Sequence, residues 1–256
     1  MARKRDSRMF HLVTRTWNPI TGCLHNCKYC WARKLAEGRL RKTTRKYAEG
    51  FRPKFHPEEL GRRFRPNELV FVSDMGDMWG RWVPDEWILR VLEVARRHPK
   101  TTFLFLTKNP LRYVEVLERH GDVFSGNMIF GATIETLDDS LYSAYEVSRA
   151  CPPSLRLQWL GIFAAKHEEA TGRRPRTFVS VEPILMYWTA TDAEVFAEIL
   201  AESVRPEFVY VGYDNYNSRL PEPPLSRTLE LVDRLRERGM TVYTKTMRRA
   251  WWEQWR

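Results

Sequence analysis

T-W-N-P-I-T-G-C-L-H-N-C-K-Y-C-W-A, residues 16–32, holds three of the chain's four cysteines within eight positions. Cys23, Cys27 and Cys30 have the spacing C-x3-C-x2-C, with Tyr29 immediately before the last. Three thiolates so close in the chain can converge on one inorganic centre. A tetrahedral structural zinc takes a fourth protein ligand, generally from a second Cys/His pair. An iron–sulfur cluster can be held by three cysteines, with one iron left open to a cofactor or substrate. No second pair follows, so the spacing points to an open, reactive site. Two other readings of the same residues stand beside it: a zinc site completed by His25 or a distant histidine, and cysteines brought together by coincidence. His25 lies inside the loop and suits a solvent-facing or ligand-orienting position better than that of a fourth ligand.

Composition narrows the class. A chain of 256 residues with 43% hydrophobic content supports one sizeable core. No apolar run is long enough for a membrane span, and the basic start, Met1 to Arg8, is not followed by an apolar stretch of the signal-peptide kind. A cytoplasmic protein without membrane contact is expected. Four cysteines, three of them clustered, make no disulfide framework. The net charge of +10 is concentrated: positions 33–65 hold twelve Lys/Arg against four acids, a local excess of +8. Such a patch beside a reactive loop suggests an anionic substrate, nucleic acid or nucleotide; a merely solvated surface is the alternative.

Outward from the loop, periodicity predicts alternating strands and helices. Residues 10–16 read as a strand running into the cysteine loop, and residues 28–41 as a helix starting at it. Residues 43–67, with Pro53, Pro57 and Pro66, read as an irregular basic connection. Strands follow at 69–73, 102–106, 128–134, 177–181, 208–211 and 241–244. Helices are predicted from Pro84, from Asn109-Pro110 to Gly121, over 138–150, over 158–171 as an additional insertion, from a capping box at Thr191-x-x-Glu194, and over 225–238. This alternation argues for parallel βαβ units in a single domain over 1–256. By pattern alone, a partial barrel and an open doubly wound sheet remain equal.

The cysteine loop, with its aromatic residue before the third cysteine, resembles the radical S-adenosylmethionine (radical SAM) superfamily. The segments F-V-S-D-M-G-D-M-W-G, F-L-F-L-T-K-N-P and F-V-S-V-E-P-I-L resemble its spore photoproduct lyase-like branch, with uncharacterised phage-associated relatives. The resemblance spans about residues 10–246. It implies a partial (β/α)6 barrel of α/β class, with a basic N-terminal insertion and a C-terminal aromatic and basic segment. It also implies a [4Fe-4S] cluster on Cys23, Cys27 and Cys30, SAM as cofactor, generation of a 5′-deoxyadenosyl radical, and an external one-electron donor of flavodoxin or ferredoxin type. A zinc-containing nucleic-acid binder, an inactive barrel serving as a scaffold, and a radical SAM enzyme for a peptide or small metabolite are the competing functions.

In such a barrel the chemical residues follow the strands. Asp74, Met75, Gly76 and Asp77 stand where many family members have Gly-Gly-Glu for the SAM amino group, and the sequence departs from that motif. By the same resemblance Thr133, Glu135, Ser180 and Glu182 are candidates for SAM contacts. Gly212 would approach the adenine, and Tyr29 would pack near the cluster or adenine. Lys108, Tyr213, Lys245 and the patch residues Arg41, Lys42, Arg45 and Lys46 are candidates for substrate. Lys245, Arg248 and Arg249 alternate with Trp251, Trp252 and Trp255, which suits either base stacking or packing on the barrel. Cys151, before Pro152-Pro153, reads as structural and remote from any strand end.

Overall fold

The computed structural model describes residues 10–187 and 190–255, except for the side chains of 190, 191, 254 and 255. Seven parallel strands form one open, curled half-barrel: β1 (Arg15–Trp17), β2 (Leu69–Val72), β3 (Thr102–Thr107), β4 (Met128–Thr133), β5 (Arg176–Val181), β6 (Phe208–Gly212) and β7 (Val242–Lys245). Their order in the sheet is their order in the chain. Each connection therefore has to return to the starting end, and from β2 onward helices do this: α2 (Asp85–Arg96), α3 (Leu111–His120), α5 (Pro153–Thr171), α6 (Ala190–Ile199) and α7 (Leu225–Glu237). Two short helices, α1 (Trp31–Leu35) and α4 (Asp139–Ala144), lie near the cysteine loop.

The period of two along each strand sorts side chains between two cores. Val70, Val72, Phe103, Phe105, Phe130, Val179, Val181, Val209 and Val211 join the core shared with the helices. Phe71, Leu104, Ile129, Phe178, Phe208 and Tyr210 form the second core on the opposite, concave face. The registers Leu106↔Gly131↔Phe178↔Phe208 and Thr133↔Ser180↔Tyr210↔Tyr243 stack these inner residues in rows. Thr133 and Ser180 thus share a row near the strands' C-terminal ends, where polar side chains line a site and do not weaken the core.

Four sequence expectations change. The first strand begins at Arg15, because Phe10 leaves the sheet and plugs the concave face, its ring stacked 4.2 Å from Tyr210 and 5.6 Å from Phe71. The helix expected over 28–41 breaks at Gly38, with φ −87° and ψ −106°, between α1 and a short turn at Arg41–Thr43. The helix expected to reach 150 stops at Ala144, because Glu146 takes φ +46° and the following backbone bonds to the cysteine loop. The supposed insertion at 158–171 belongs to α5, which starts at Pro153 and is the crossover helix between β4 and β5. The Thr191 cap and the segment from Met1 to Arg8 lie outside the described side chains and residues. No helix among the described residues is long and apolar enough to cross a membrane.

Gly131 faces the inner core, where a Cβ would sit 2.2 Å from the Phe178 ring. Gly131→Ala should therefore lower unfolding stability by about 1–3 kcal/mol through overpacking. Phe178→Leu in the same chain should recover part of that loss in urea titrations. Unchanged stability in Gly131→Ala would refute this account of the inner rows.

Candidate metal and cofactor site

The cysteine loop is fixed to the sheet by two glycines. After β1 the chain passes Asn18-Pro19, and Ile20–Thr21 pairs antiparallel with Lys54–Phe55. Gly22 then runs beside Gly76 as a continuation of the β1–β2 pairing: its N–H donates to the Met75 carbonyl at 2.9 Å and its carbonyl accepts from the Asp77 N–H at 3.3 Å. A Cβ on Gly76 would lie 2.9 Å from Gly22 backbone atoms, and one on Gly22 would lie 2.1 Å from the Arg52 carbonyl oxygen. Only glycine lets the loop lie this close to the end of β2.

All three loop cysteines are free and partly buried. The His25 N–H donates to Cys23 Sγ at 3.4 Å, and the Arg33 N–H to Cys30 Sγ at 3.3 Å. The Cys27 thiol lies 3.2 Å from Ser148 Oγ. Burial, with Asp77 and Cys27 adding repulsion, pushes the Cys23 thiol well up, and burial also raises Cys30. A cationic metal centre would reverse this by favouring the thiolates. Backbone N–H groups aimed at sulfur suit a cluster, whose electronics depend on such bonds. Among the described residues no three His, Cys, Asp or Glu side chains are gathered for a single metal ion. His25, the near candidate for a fourth zinc ligand, is buried, with Nε2 2.9 Å from Asp77 Oδ2.

Behind the sulfurs lies a buried polar framework. Asp77 accepts from the Thr107 hydroxyl at 2.9 and 3.0 Å, the Lys108 N–H at 3.0 Å and the Trp79 N–H at 3.0 Å, besides its contact with His25. Hydrogen bonds from His25, Lys108 and Thr107 outweigh desolvation and hold its carboxyl below the usual range. Glu135, fully buried, meets Arg156 Nη1 at 2.7 Å, Lys108 Nζ at 3.7 Å and the Tyr29 hydroxyl. Arg156 also donates to the Thr133 and Cys151 carbonyls. The backbone past α4 then grips the loop, with Arg149 N–H bonded to the His25 carbonyl and Lys28 N–H to the Val147 carbonyl.

A cavity of about 660 Å³ opens between this loop and the strand ends. It is lined by Cys23, Cys27 and Cys30 and, among the residues expected from sequence, by Tyr29, Asp74, Gly76, Asp77, Lys108, Thr133, Ser180, Glu182, Tyr213 and Lys245. Ser73, with φ +56°, also lines it; its Oγ is buried and has no hydrogen-bond partner, so it is available to a ligand. Met75, Glu135 and Gly212 do not line it. Met75 packs with Ala32, Ala36, Tyr47 and Phe51. Gly212 is glycine because β7 approaches: a Cβ would lie 2.2 Å from the Lys245 carbonyl oxygen. Tyr213 is buried, its hydroxyl donating to the Pro223 carbonyl and bonded to Thr228. Glu182 meets Lys245 Nζ at 2.8 Å, and burial raises its carboxyl.

Of the basic patch, Arg41, Lys42 and Arg45 are exposed, whereas Lys46 is committed to Glu59 and the Asn18 carbonyl, both at 2.6 Å. None of the four lines the cavity. The C-terminal segment packs on the barrel: the Trp251 and Trp252 indoles donate to the Leu220 and Glu222 carbonyls, and Arg248 pairs with Glu222 at 2.6 and 2.7 Å. Cys151 is closer to the site than expected, with Sγ 3.4 Å from the Lys108 carbonyl just past β3. Arg156 was missed from the sequence; its signal was a lone charge beside Leu157 and Leu160 on an apolar helix face.

The family model described as protein of unknown function (DUF5131) matches residues 9–200. The chain belongs to that family. No curated protein matches this DUF5131 chain. Among solved structures, it is similar to a cysteine-to-serine mutant of spore photoproduct lyase, at 14% identity over 94% of this chain and 81% of that one, with a TM-score of 0.57. A radical SAM methyltransferase from Sphaerobacter thermophilus matches at 16% identity over 93% and 67%, with a TM-score of 0.53. Spore photoproduct lyase complexed with dinucleoside spore photoproduct matches at 14% identity over 88% and 75%, with a TM-score of 0.54. This DUF5131 chain therefore has the fold of radical SAM enzymes, the spore photoproduct lyase-like form among them.

Asp74 provides a test of the cavity's electrostatics. Burial pushes its carboxyl from 3.8 up to about 6, against a 2.6 Å hydrogen bond from Asn18 Nδ2. The unfolded chain ionises first as pH rises, so the folded state holds the extra proton and loses stability between about pH 4 and 6. Each tenfold change in proton affinity is worth about 1.4 kcal/mol, which makes the loss on the order of 2–3 kcal/mol. Asp74→Asn should remove it, narrowing the difference in urea stability between pH 4 and pH 7.5. An unchanged difference would contradict the burial of this charge.

Proposed function

We propose that this protein is a radical SAM enzyme whose substrate is a nucleic acid or nucleotide. The observation that carries the reading is the placement of three thiols, two of them accepting backbone N–H bonds, on one wall of a cavity at the C-terminal ends of a parallel half-barrel. Cys23, Cys27 and Cys30 would hold a [4Fe-4S] cluster. When bound, the cluster and SAM supply a one-electron reductive cleavage to methionine and a 5′-deoxyadenosyl radical that abstracts hydrogen from substrate. Asp74 and the unpartnered Ser73 hydroxyl suit the SAM amino group, and Thr133 and Ser180 offer hydroxyls from the next strand ends. Tyr29, tied to Glu135 between Cys27 and Cys30, holds the loop's aromatic face against the cavity. Lys245 is neutralised by Glu182, so the two together present a polar wall and not a free charge.

The electron comes from outside the chain in this reading, because Cys151 is the sole cysteine left to build a relay; a flavodoxin- or ferredoxin-type donor is proposed. The substrate class rests on two supports. One is the exposed Arg41, Lys42 and Arg45, which make no ion pair among the described residues, on the segment leading from the cysteine loop. The other is the shared fold with a lyase solved with a dinucleoside photoproduct.

Anaerobic cluster reconstitution, iron counting and 5′-deoxyadenosine measurement test the chemistry. Ala at Cys23, Cys27 or Cys30 should abolish bound iron and SAM cleavage, whereas Cys151→Ala should keep both. Iron and 5′-deoxyadenosine retained in any of the three loop variants would refute the cluster assignment.

The basic patch is tested separately with labelled DNA and RNA at two salt concentrations. Changing Arg41, Lys42 and Arg45 to Glu should weaken binding to every sequence and lower the log–log salt slope by roughly 2, about 0.7 for each phosphate contact removed on a single strand. SAM cleavage without substrate should be unaltered. Equal binding by the parent and the reversed variant would leave these residues as a solvated surface.

A further inference from the structure

Part of the cavity's lining is formed by the segment after β6, through Asp214, Asn215 and Tyr216. Asp214 shapes it: its carboxylate accepts from the Tyr216 N–H at 3.0 Å and from the Ser218 N–H at 2.5 Å. Asn217 and Arg219 both take left-handed backbone conformations, φ +53° and +56°, which cost free energy in residues with side chains. The result is a preformed turn that carries two cation–aromatic pairs. Lys34 Nζ, from α1, lies 5.5 Å from the centre of the Tyr216 ring, and both residues line the cavity. Three residues on, the Arg219 guanidinium lies 4.9 Å from the centre of the Trp251 ring, which is anchored through its indole N–H to the Leu220 carbonyl.

We infer that this turn is a base-stacking platform on which Tyr216 receives a nucleobase of a single-stranded segment, with Lys34 and Arg219 taking its flanking phosphates. The inference deepens the nucleic-acid reading above and rests on it. An aromatic face at a cavity mouth with an ammonium against it is already a site for a flat, electron-rich ring with an anionic neighbour. A base entering on Tyr216 displaces the ammonium from the ring towards phosphate, so a cation–aromatic pairing gives way to a stronger one between full charges. Three residues of chain reach at most about 11 Å. Tyr216 and Arg219 can therefore serve neighbouring nucleotides but not distant ones. Tyr213 is excluded from this role because its ring is buried and its hydroxyl is bonded to Thr228.

The test is fluorescence anisotropy of a labelled single-stranded oligothymidylate with reconstituted protein, with iron and SAM cleavage measured on the same samples. Tyr216→Leu should weaken binding about tenfold, while Tyr216→Phe should bind within about twofold of the parent, because stacking uses the ring and not the hydroxyl. Lys34→Gln should flatten the log–log salt slope by roughly 0.7. Parent-like binding by Tyr216→Leu, or an equal loss in Tyr216→Phe, would overturn the inference, as would a parent protein that holds iron and cleaves SAM but binds no oligonucleotide. Parent protein that binds the oligonucleotide in the predicted order of variants, but holds no iron, would uphold the platform while removing the radical SAM reading.

Discussion

The site depends on a single buried carboxylate, that of Asp77. It holds His25 from the cysteine loop, and the hydroxyl of Thr107 and the N–H of Lys108 from the end of β3, within about 3 Å of its two oxygens. A charge removed from water is tolerated only when its hydrogen-bonding capacity is filled, and here the groups that fill it come from separate parts of the chain. The loop, the strand end and the turn after β2 can therefore form only together. This explains why a residue that sequence resemblance places against a cofactor is spent on architecture: little of its carboxylate remains for a ligand.

Glu135 repeats this logic one layer away. Its partners Tyr29, Lys108 and Arg156 come from the cysteine loop, the β3 end and α5. Cutting either carboxylate would leave buried cations or donors without partners, a larger cost than the loss of one surface pair. Together the two acids make the cavity's cysteine wall rigid before any ligand arrives, which is the condition for placing a reactive centre accurately.

What could be read from the sequence was what is local. The cysteine spacing, the strand–helix alternation and the polar residues after each strand are patterns over a few residues: Thr133 and Ser180 line the cavity because alternation along a strand assigns a face to each, and Asp74 and Glu182 because they lie just past a strand's C-terminal end. What could not be read depended on distant partners. Helix α4 stops at Ala144 because the backbone beyond it bonds to residues over a hundred positions earlier. Phe10 plugs the concave face because Tyr210 lies there, and nothing near Phe10 in the chain announces that. Gly212 permits an approach of backbone to backbone that has the same sequence signature as an approach to a ligand. Lys46 is drawn out of the basic patch by Glu59, an acid thirteen residues away that the charge count had simply subtracted.

The same pairing removes most of the charge around the cavity. Asp77 is satisfied by His25 and backbone donors, Glu182 and Lys245 neutralise each other, and Lys108 faces Glu135 and the Tyr29 ring. Three charges on the lining are left without an opposite charge at ion-pair distance among the described residues: Asp214, whose carboxylate is filled by the Tyr216 and Ser218 N–H groups, Asp74, held by the Asn18 amide, and Lys34, resting on the Tyr216 ring. A neutral hydrogen bond and an aromatic face are weaker partners than a full opposite charge. Asp74 and Lys34, unlike Asp214 with its two backbone donors, therefore gain most when a charged ligand arrives. A cationic group is favoured at the end of β2 and an anionic one beside α1, so what enters this cavity should carry both, either in one molecule or in two bound side by side.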